Sequence, residues 1–304
     1  MRISTATSYM TGTYDMQSLQ SQLQTLQTQL DTQKRVVTPA DDPVAAARIL
    51  QLSQSDGMNT QFITNTNAVE STLSLSESQL TNASNLLTSL KSAAIQAGNT
   101  VLSSDQLLMI QKQVQEGIAE MTGYANATDG KGNYLFSGDK VNTPPFVLDA
   151  TYAATYQGDT GQRNVPISSS RSMQISDPGS NVFGNATSPT AVFDALKSLN
   201  DLLAQNPKPA TYSTDMGNIV SALDSAQKNL STSIASIGAR RQENQSVQDM
   251  GNQLGLQYKS GISDLQDLDM PSAITNFTQT QTSLKYSQLV YNKVTSLSLF
   301  NYMS

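Results

Sequence analysis

The chain has 304 residues, of which 38% are apolar and only 14% charged, and its 18 basic and 24 acidic side chains give a net charge of −6. That length is enough for two or three domains with a sizeable core, and the acidic balance excludes the basic surface that a nucleic-acid-binding protein needs. The sequence contains no Cys, His or Trp, which removes disulfides, thiol nucleophiles, the commonest general base and most transition-metal ligands.

The first residues carry no signal for a secretory leader or a membrane anchor. The opening "MRISTATSYMTGTYD" has one Arg but lacks the apolar core of about 7–15 residues that a leader contains. No stretch approaches the roughly 18 apolar residues of a membrane-spanning helix. We therefore expect no membrane partner, and we expect that export, if it occurs, does not use a cleaved leader.

A heptad pattern near the start predicts the first helix. Its apolar positions alternate by three and four, and they are Met16, Leu19, Leu23, Leu26 and Leu30, followed by Gln33 and Val37. Gln, Ser and Thr fill most of the intervening positions. A helix with this stripe needs a partner helix.

The second helix is predicted to begin at Asp42 and Pro43. Proline disfavours the helical conformation in the residue before it, and proline itself suits the first helical position. Asp42 is therefore the expected N-cap. Adjacent carboxylates at a helix start do not converge on one substrate, and capping is preferred to acid–base chemistry for Asp41 and Asp42. If the helix continues to Gly98 it is roughly 80 Å long, at about 1.5 Å per residue.

Ser103 and Gln106 form a capping-box signature that predicts a third helix, ending near residue 126. From 129 to 188 the chain is rich in Gly, Pro and Asn, and we predict a small β-rich insertion. Its first part, "DGKGNYLFSGDK", is typical of a hairpin. Ser188 and Pro189 restart a helix, which "NPKPA" at 206–210 breaks.

The second half of the sequence repeats this order in reverse. A long helix is predicted from about residue 214, with a break near Asp269, Met270 and Pro271. In the last segment Phe277, Leu284 and Tyr291 are seven residues apart, with Ile274 and Val294 near the same face. The mirrored order predicts that the two long helices pack antiparallel, and that the two ends of the chain lie side by side.

Both ends of the chain are almost free of charge. Asp15 is the one charged residue between 3 and 30, and Lys285 and Lys293 are the two between 271 and 304. Neutral polar side chains suit burial against further copies, where an unpaired charge would be costly. We expect both ends to be loose in the free chain and helical when copies stack. The predicted assembly seam consists of Met16, Leu19, Leu23, Leu26, Leu30, Ile274, Phe277, Leu284, Tyr291 and Val294.

Other charged groups give no site. The carboxylates Asp264, Asp267 and Asp269 lack the spacing and the Gly of an EF-hand, so a solvated helix end is preferred to a cation site. The loop at 129–133 is interpreted as a turn, and Arg240 with Arg241 as a solvated pair. We predict no catalytic, cofactor-binding or metal-binding residues.

Six stretches of the chain resemble bacterial flagellin-type axial proteins, and within them the group that joins the hook to the filament. They occur in the expected order along nearly the whole chain, and they are "MRIST" at the start, "KRVVTPADDPVAAARIL" at 34–50, "GNYLFSGDKVNTPPF" at 132–146, "SRSMQI" at 170–175, "SIGARRQENQ" at 236–245 and "SLSLFNYM" at 296–303. The family often has Gly before the "KR", where this chain has Gln33. We therefore expect the first helix to continue towards Val37.

The resemblance implies a mainly α, flagellin-like fold, in which the N- and C-terminal halves form a long antiparallel coiled-coil bundle with a β-rich outer domain. We expect three domains, and they are 1–42 with 270–304 (inner tube), 43–130 with 189–269 (long-helix bundle) and 131–188 (outer domain). The resemblance also implies type III export without a cleaved leader, helped by an export chaperone. Assembly would then place the chain between hook-associated protein 1 and flagellin in an extracellular flagellum.

Three functions remain open from the sequence. The first is a structural junction subunit that adapts one helical lattice to another. The second is a short flagellin, the bulk subunit of a filament. The third is a secreted adhesin or enzyme that works through its β insertion and uses its helices as an anchor.

Overall fold

A computed structural model describes the backbone of residues 2–99 and 102–303, and the side chains of residues 7, 9–99 and 102–294. The helices are α1 Arg2–Thr32, α2 Pro43–Ala97, α3 Ser104–Ala125, α4 Gly179–Val182, α5 Ala191–Leu203, α6 Tyr212–Gln266 and α7 Met270–Met303. The strands are β1 Phe146–Leu148, β2 Ala154–Tyr156, β3 Asn164–Ser168 and β4 Arg171–Gln174. The prediction of a mainly α chain with a small β insertion is confirmed.

The first helix is shorter than expected. It ends at Thr32, and Gln33 has a φ of 57°, a left-handed conformation that stops a helix and is usually given to Gly. The prediction that this helix continues towards Val37 is therefore wrong. In the turn that follows, the Asp41 carboxylate accepts hydrogen bonds from the amides of Val37 (3.1 Å) and Thr38 (2.7 Å).

The next helix ends follow local capping signals. Asp42 Oδ1 accepts the amide of Ala45 at 3.0 Å, the bond that an N-cap residue makes to the third helical residue, and α2 begins at Pro43. At α3 the capping box is confirmed, because Ser103 Oγ accepts the amide of Gln106 and the Gln106 side chain accepts the amide of Ser103.

The chain divides into two compact units. Unit 1 comprises Met1–Asn59 and Gln253–Ser304, and unit 2 comprises Thr60–Asn252. Helices α2 and α6 contribute residues to both units. The three-domain division of the sequence analysis stays a prediction.

Unit 2 contains an antiparallel helical core. Tyr212 near the start of α6 donates to the carbonyl of Ala97 at the end of α2 (2.9 Å), whereas Asn244 further along α6 donates to Thr66 earlier in α2 (2.9 Å). These contacts progress in opposite directions along the two helices. Their shared apolar layer includes Leu73, Leu80, Leu87, Leu90, Leu223, Leu230 and Ile237.

The β insertion, also in unit 2, consists of two separate two-stranded antiparallel sheets, β1–β2 and β3–β4. Beneath them a cluster of aromatic rings includes Phe146 and Phe193, whose centroids are 4.8 Å apart. The hairpin predicted at 129–140 is not formed by strands, because a single isolated bridge joins Thr128 and Tyr134. Consecutive residues Leu135 and Phe136 are both buried, which the alternation of a half-exposed strand does not allow.

Arg240 and Arg241 are not a solvated pair, so that interpretation is wrong. Arg240 forms an ion pair with Asp177 and donates to the carbonyl of Gln174 at 3.1 Å, which attaches the segment after β3–β4 to α6. Arg241 turns to α2, where it donates to Glu70 (2.9 Å) and Glu77 (2.6 Å). Neighbouring residues on a helix differ by about 100° in direction, which allows one pair to serve two partners.

A candidate assembly surface in unit 1

In unit 1, α1 and α7 form an antiparallel pair through a stripe of half-buried side chains. The stripe, defined here, consists of Met16, Leu19, Leu23, Leu26 and Leu30 on α1 and of Ala273, Phe277, Thr280, Leu284, Ser287 and Tyr291 on α7. Near one end the rings of Tyr9 and Tyr291 meet edge to face at 6.1 Å. At the other end Leu268 donates its amide to the carbonyl of Gln33 at 3.1 Å.

The structure brings eight of the ten predicted seam residues together in this stripe, and it places Ile274 and Val294 elsewhere. Ile274 is 52% exposed and Val294 46% exposed, and neither side chain lies on the stripe. A role for any of the ten in assembly stays a prediction. Sequence reasoning missed Ala273, Thr280 and Ser287 because these small or polar residues give no apolar signal, although their three-four spacing continues the pattern.

Unit 1 has an incomplete apolar core. Among the described residues its fully buried apolar side chains are Val36, Ala45 and Ala273, two of them alanines. Its large exposed apolar side chains are far more numerous, and they are Met10, Tyr14, Val37, Val44, Leu50, Met58, Leu254, Leu256, Ile274, Tyr286, Leu289, Val290 and Val294. Large contiguous apolar patches are rare on monomeric soluble proteins, and the number of exposed apolar side chains makes unit 1 the candidate assembly surface.

The outward faces of the α1–α7 pair carry much of this exposed area. Met10 and Tyr14 lie opposite the stripe on α1, and Tyr286, Leu289 and Val290 lie away from the stripe on α7. A surface helix of an isolated globular protein is normally apolar on one side only. The pair therefore offers apolar contacts both to itself and outwards.

A charged junction joins the pair to the long helices. Arg35 donates from its guanidinium to the carbonyl of Leu265 at 2.7 Å and to Asp42 at 3.2 Å. The hydrogen bond from the amide of Ala45 and then the bond from Arg35 hold the pKa of the Asp42 carboxyl below its usual value. Leu265 lies in the last turn of α6, where helix carbonyls need outside donors. Arg35 supplies one and at the same time contacts the N-cap of α2.

Known proteins are similar to this chain in sequence and in fold. The family model for the bacterial flagellin N-terminal helical region matches residues 3–141. Flagellar hook-associated protein 3 of Escherichia coli (strain K12) is 28% identical over 318 residues, covering 99% of each chain. The Salmonella typhimurium protein of the same name is 28% identical over 316 residues, again covering 99% of each chain. These matches show that the chain is similar over nearly its whole length to flagellar axial proteins.

A solved structure of a flagellar protein has the same fold. Flagellar hook-associated protein-3 from Legionella pneumophila superposes with a TM-score of 0.64 at 18% identity, over 71% of this chain and 98% of that one. Two further observations concern the described part of this chain. No helix there is long and apolar enough to cross a membrane, and no group of three or more acidic side chains there could hold a metal ion.

Proposed function

We propose that the protein is a structural subunit of the bacterial flagellum that joins the hook to the flagellin filament. The observation that carries this proposal is the incomplete core of unit 1, which fits a subunit completed by other copies. The full-length similarity to relatives named hook-associated protein 3 supports the position within the flagellum. The proposed role is mechanical and includes no catalysis.

In this proposal the terminal helices make the assembly contacts. Residues 1–42 with 270–304 form an inner helical layer, 43–130 with 189–269 a surrounding bundle, and 131–188 the outer surface. The near absence of charge on α1 and α7 supports burial of these helices, because neutral polar side chains can hydrogen-bond between copies at low desolvation cost. The neighbours are further copies of the chain, hook-associated protein 1 on the hook side and flagellin on the filament side.

The route to this position is part of the proposal. The chain would leave the cell through the flagellar type III system without a cleaved leader, and a cytoplasmic export chaperone would hold its apolar ends. The exposed apolar side chains of unit 1 support the need for such protection, since uncovered patches of this kind promote aggregation.

Deletion of the gene, followed by electron microscopy of the cells, tests the junction role. We expect hooks without filaments and flagellin released into the medium, and we expect the intact gene on a plasmid to restore filaments. Normal filaments on the deletion strain would overturn the proposal.

A short flagellin is the second candidate, favoured by the family model of the flagellin N-terminal region. Abundance separates the two functions, because a filament subunit dominates sheared appendages and a junction subunit is a trace component. Quantitative mass spectrometry of sheared flagella would therefore show this chain far below flagellin if it is a junction subunit.

A further inference from the structure

The nearly neutral α1–α7 pair carries few charges, and two of them are Asp15 and Lys285. Asp15 on α1 and Lys285 on α7 are both exposed, and neither has an ion-pair partner within the described residues. If copies bury this surface, an unpaired charge on either helix would oppose assembly. Each charge therefore needs a partner from outside its own chain.

The pair of helices has two edges that can be told apart by sequence position. A groove of about 410 Å³ runs along one edge, and its lining includes Gln22, Thr25, Gln29, Asn276 and Gln279. Each of these five residues directly precedes a stripe residue. In an antiparallel pair, positions directly before the stripe lie on the same side of both helices, and positions directly after it lie on the other. We call these sides the groove edge and the opposite edge.

Asp15 and Lys285 lie on different edges. Asp15 directly precedes Met16, so it belongs to the groove edge, whereas Lys285 directly follows Leu284 and belongs to the opposite edge. This placement explains why the two side chains form no ion pair within the chain. A lateral neighbour in the same orientation would present its opposite edge to the groove edge of the first copy.

The two charges also lie at nearly the same height along the pair. The ring of Tyr291 lies against Gly12, with 3.2 Å between the ring and a Cβ built on that glycine. Asp15 is three residues from Gly12, and Lys285 is six residues from Tyr291 in the same direction along the pair. At about 1.5 Å per residue the difference in height is roughly 5 Å, which a lysine side chain can span. Asp31 lies on the same edge as Lys285, and by the same measure the heights of these two residues along the pair differ by about 20 Å.

We propose that neighbouring copies pack edge to edge through unit 1, with Asp15 of one copy paired to Lys285 of the next. The inference rests on the proposed function and names the contact by which its copies assemble. Because the two edges differ, the contact is heterologous and repeats around a ring or along a helix. The groove, lined mainly by neutral polar side chains, receives the opposite edge of the second copy.

Charge reversal in the deletion strain tests the pair. Asp15→Lys creates Lys against Lys at every contact and Lys285→Asp creates Asp against Asp, so we expect each variant alone to lower the number of filaments per cell at least about tenfold. Co-expression of both variants allows alternating copies in which every contact is complementary. We expect the mixture, and the double variant, to restore filaments. Thermal unfolding and the amount of exported protein show that each variant still folds and leaves the cell.

A cross-linking experiment gives an independent reading, because the chain has no Cys of its own. With a short bismaleimide cross-linker on intact flagella, Asp15→Cys and Lys285→Cys should give dimers when co-expressed, and neither should when expressed alone. Co-expression of Lys285→Cys with Gln17→Cys, which lies on the same edge as Lys285, is the matched control and should give none.

The outcomes separate this inference from the proposed function. Full complementation by Asp15→Lys in a strain whose deletion removes filaments would overturn the charge pair and leave the junction role standing. Defective single variants that the mixture does not rescue, or dimers from one Cys variant alone, would also overturn it. Normal filaments on the deletion strain itself would instead overturn the junction role.

Discussion

At the scale of single residues, backbone conformation and hydrogen bonds set the ends of α1 and α2. Gln33 adopts a left-handed conformation that costs a residue with a Cβ about 1–2 kcal/mol. The Gln side chain does not favour a left-handed conformation, and Gln is a good helix former. The sequence therefore favoured a longer α1. The position requires a turn because the amide of Leu268 reaches the carbonyl of Gln33, a contact 235 residues away in sequence.

Substitution of Gln33 by Gly should therefore stabilise the protein. The relief of backbone strain in the folded protein outweighs the entropic cost of ordering a Gly, which is more flexible in the unfolded chain. We expect an increase of about 0.5–1 kcal/mol in the free energy of unfolding. Urea denaturation followed by circular dichroism measures the change. Gln33→Val is the matched variant and should destabilise, since a β-branched residue tolerates positive φ poorly. A longer α1 in the Gly variant would contradict this account.

The carboxylates before α2 should make the 33–42 connection sensitive to acid. Hydrogen bonding from the amide of Thr38 lowers the pKa of Asp41, and hydrogen bonding from the amide of Ala45, then Arg35, lowers the pKa of Asp42. A lowered folded-state pKa means that the stabilisation is present above the ordinary value of 3.8 and is lost as the pH falls through the folded-state value.

Amide exchange of Thr38 and Ala45, followed by NMR as a function of pH, measures this loss. We expect protection at neutral pH and its disappearance as the pH falls below 3.8. Asp41→Asn and Asp42→Asn should remove the transition at Thr38 and Ala45 respectively. Protection that persists in acid with both carboxyls protonated would show that other contacts hold the connection.

At the scale of elements, sequence predicts those helices and ends whose signals are local. The capping box at Ser103, the proline after Asp42 and the Gly after α2 each act within a few residues, and the structure places helix ends there. The ion pairs of Arg240 and Arg241 join residues 63 to 171 positions apart, and no local pattern encodes them. The stripe on α7 is only partly predictable from sequence. The spacing of its large apolar residues indicates a helix face, whereas its small and polar residues give no apolar signal.

The packing of Tyr291 on Gly12 predicts that α1–α7 pairing tolerates no larger residue at position 12. Gly12→Val would push against the ring, since even a Cβ reaches it at 3.2 Å. We expect fewer filaments in a complemented deletion strain and an unchanged thermal transition of unit 2. Gly57→Val is the matched control, because nothing lies within 4 Å of a Cβ there, and it should support normal filaments. Equal effects of the two substitutions would contradict the contact.

At the scale of the whole molecule, apolar side chains are divided unequally between the two units. Unit 2 buries leucines and aromatic rings in a continuous core, whereas nearly all the described large apolar side chains of unit 1 are exposed or only half-buried. From the near absence of charge at both ends of the chain, the sequence predicted only that those ends need partner copies. Which edges meet in an assembly could not be read from composition, since it depends on positions before and after the stripe in the antiparallel pair.

Hydrogen–deuterium exchange on the dilute monomer tests most directly whether unit 1 is completed by other copies. The account predicts rapid exchange in peptides from α1 at 9–32 and α7 at 270–294, alongside strong protection of α2 and α6 within unit 2. Helices are marginal when their apolar faces lack partners, which is the reason for the expected difference. Slow exchange throughout α1 and α7 at low concentration, matching that of unit 2, would contradict it.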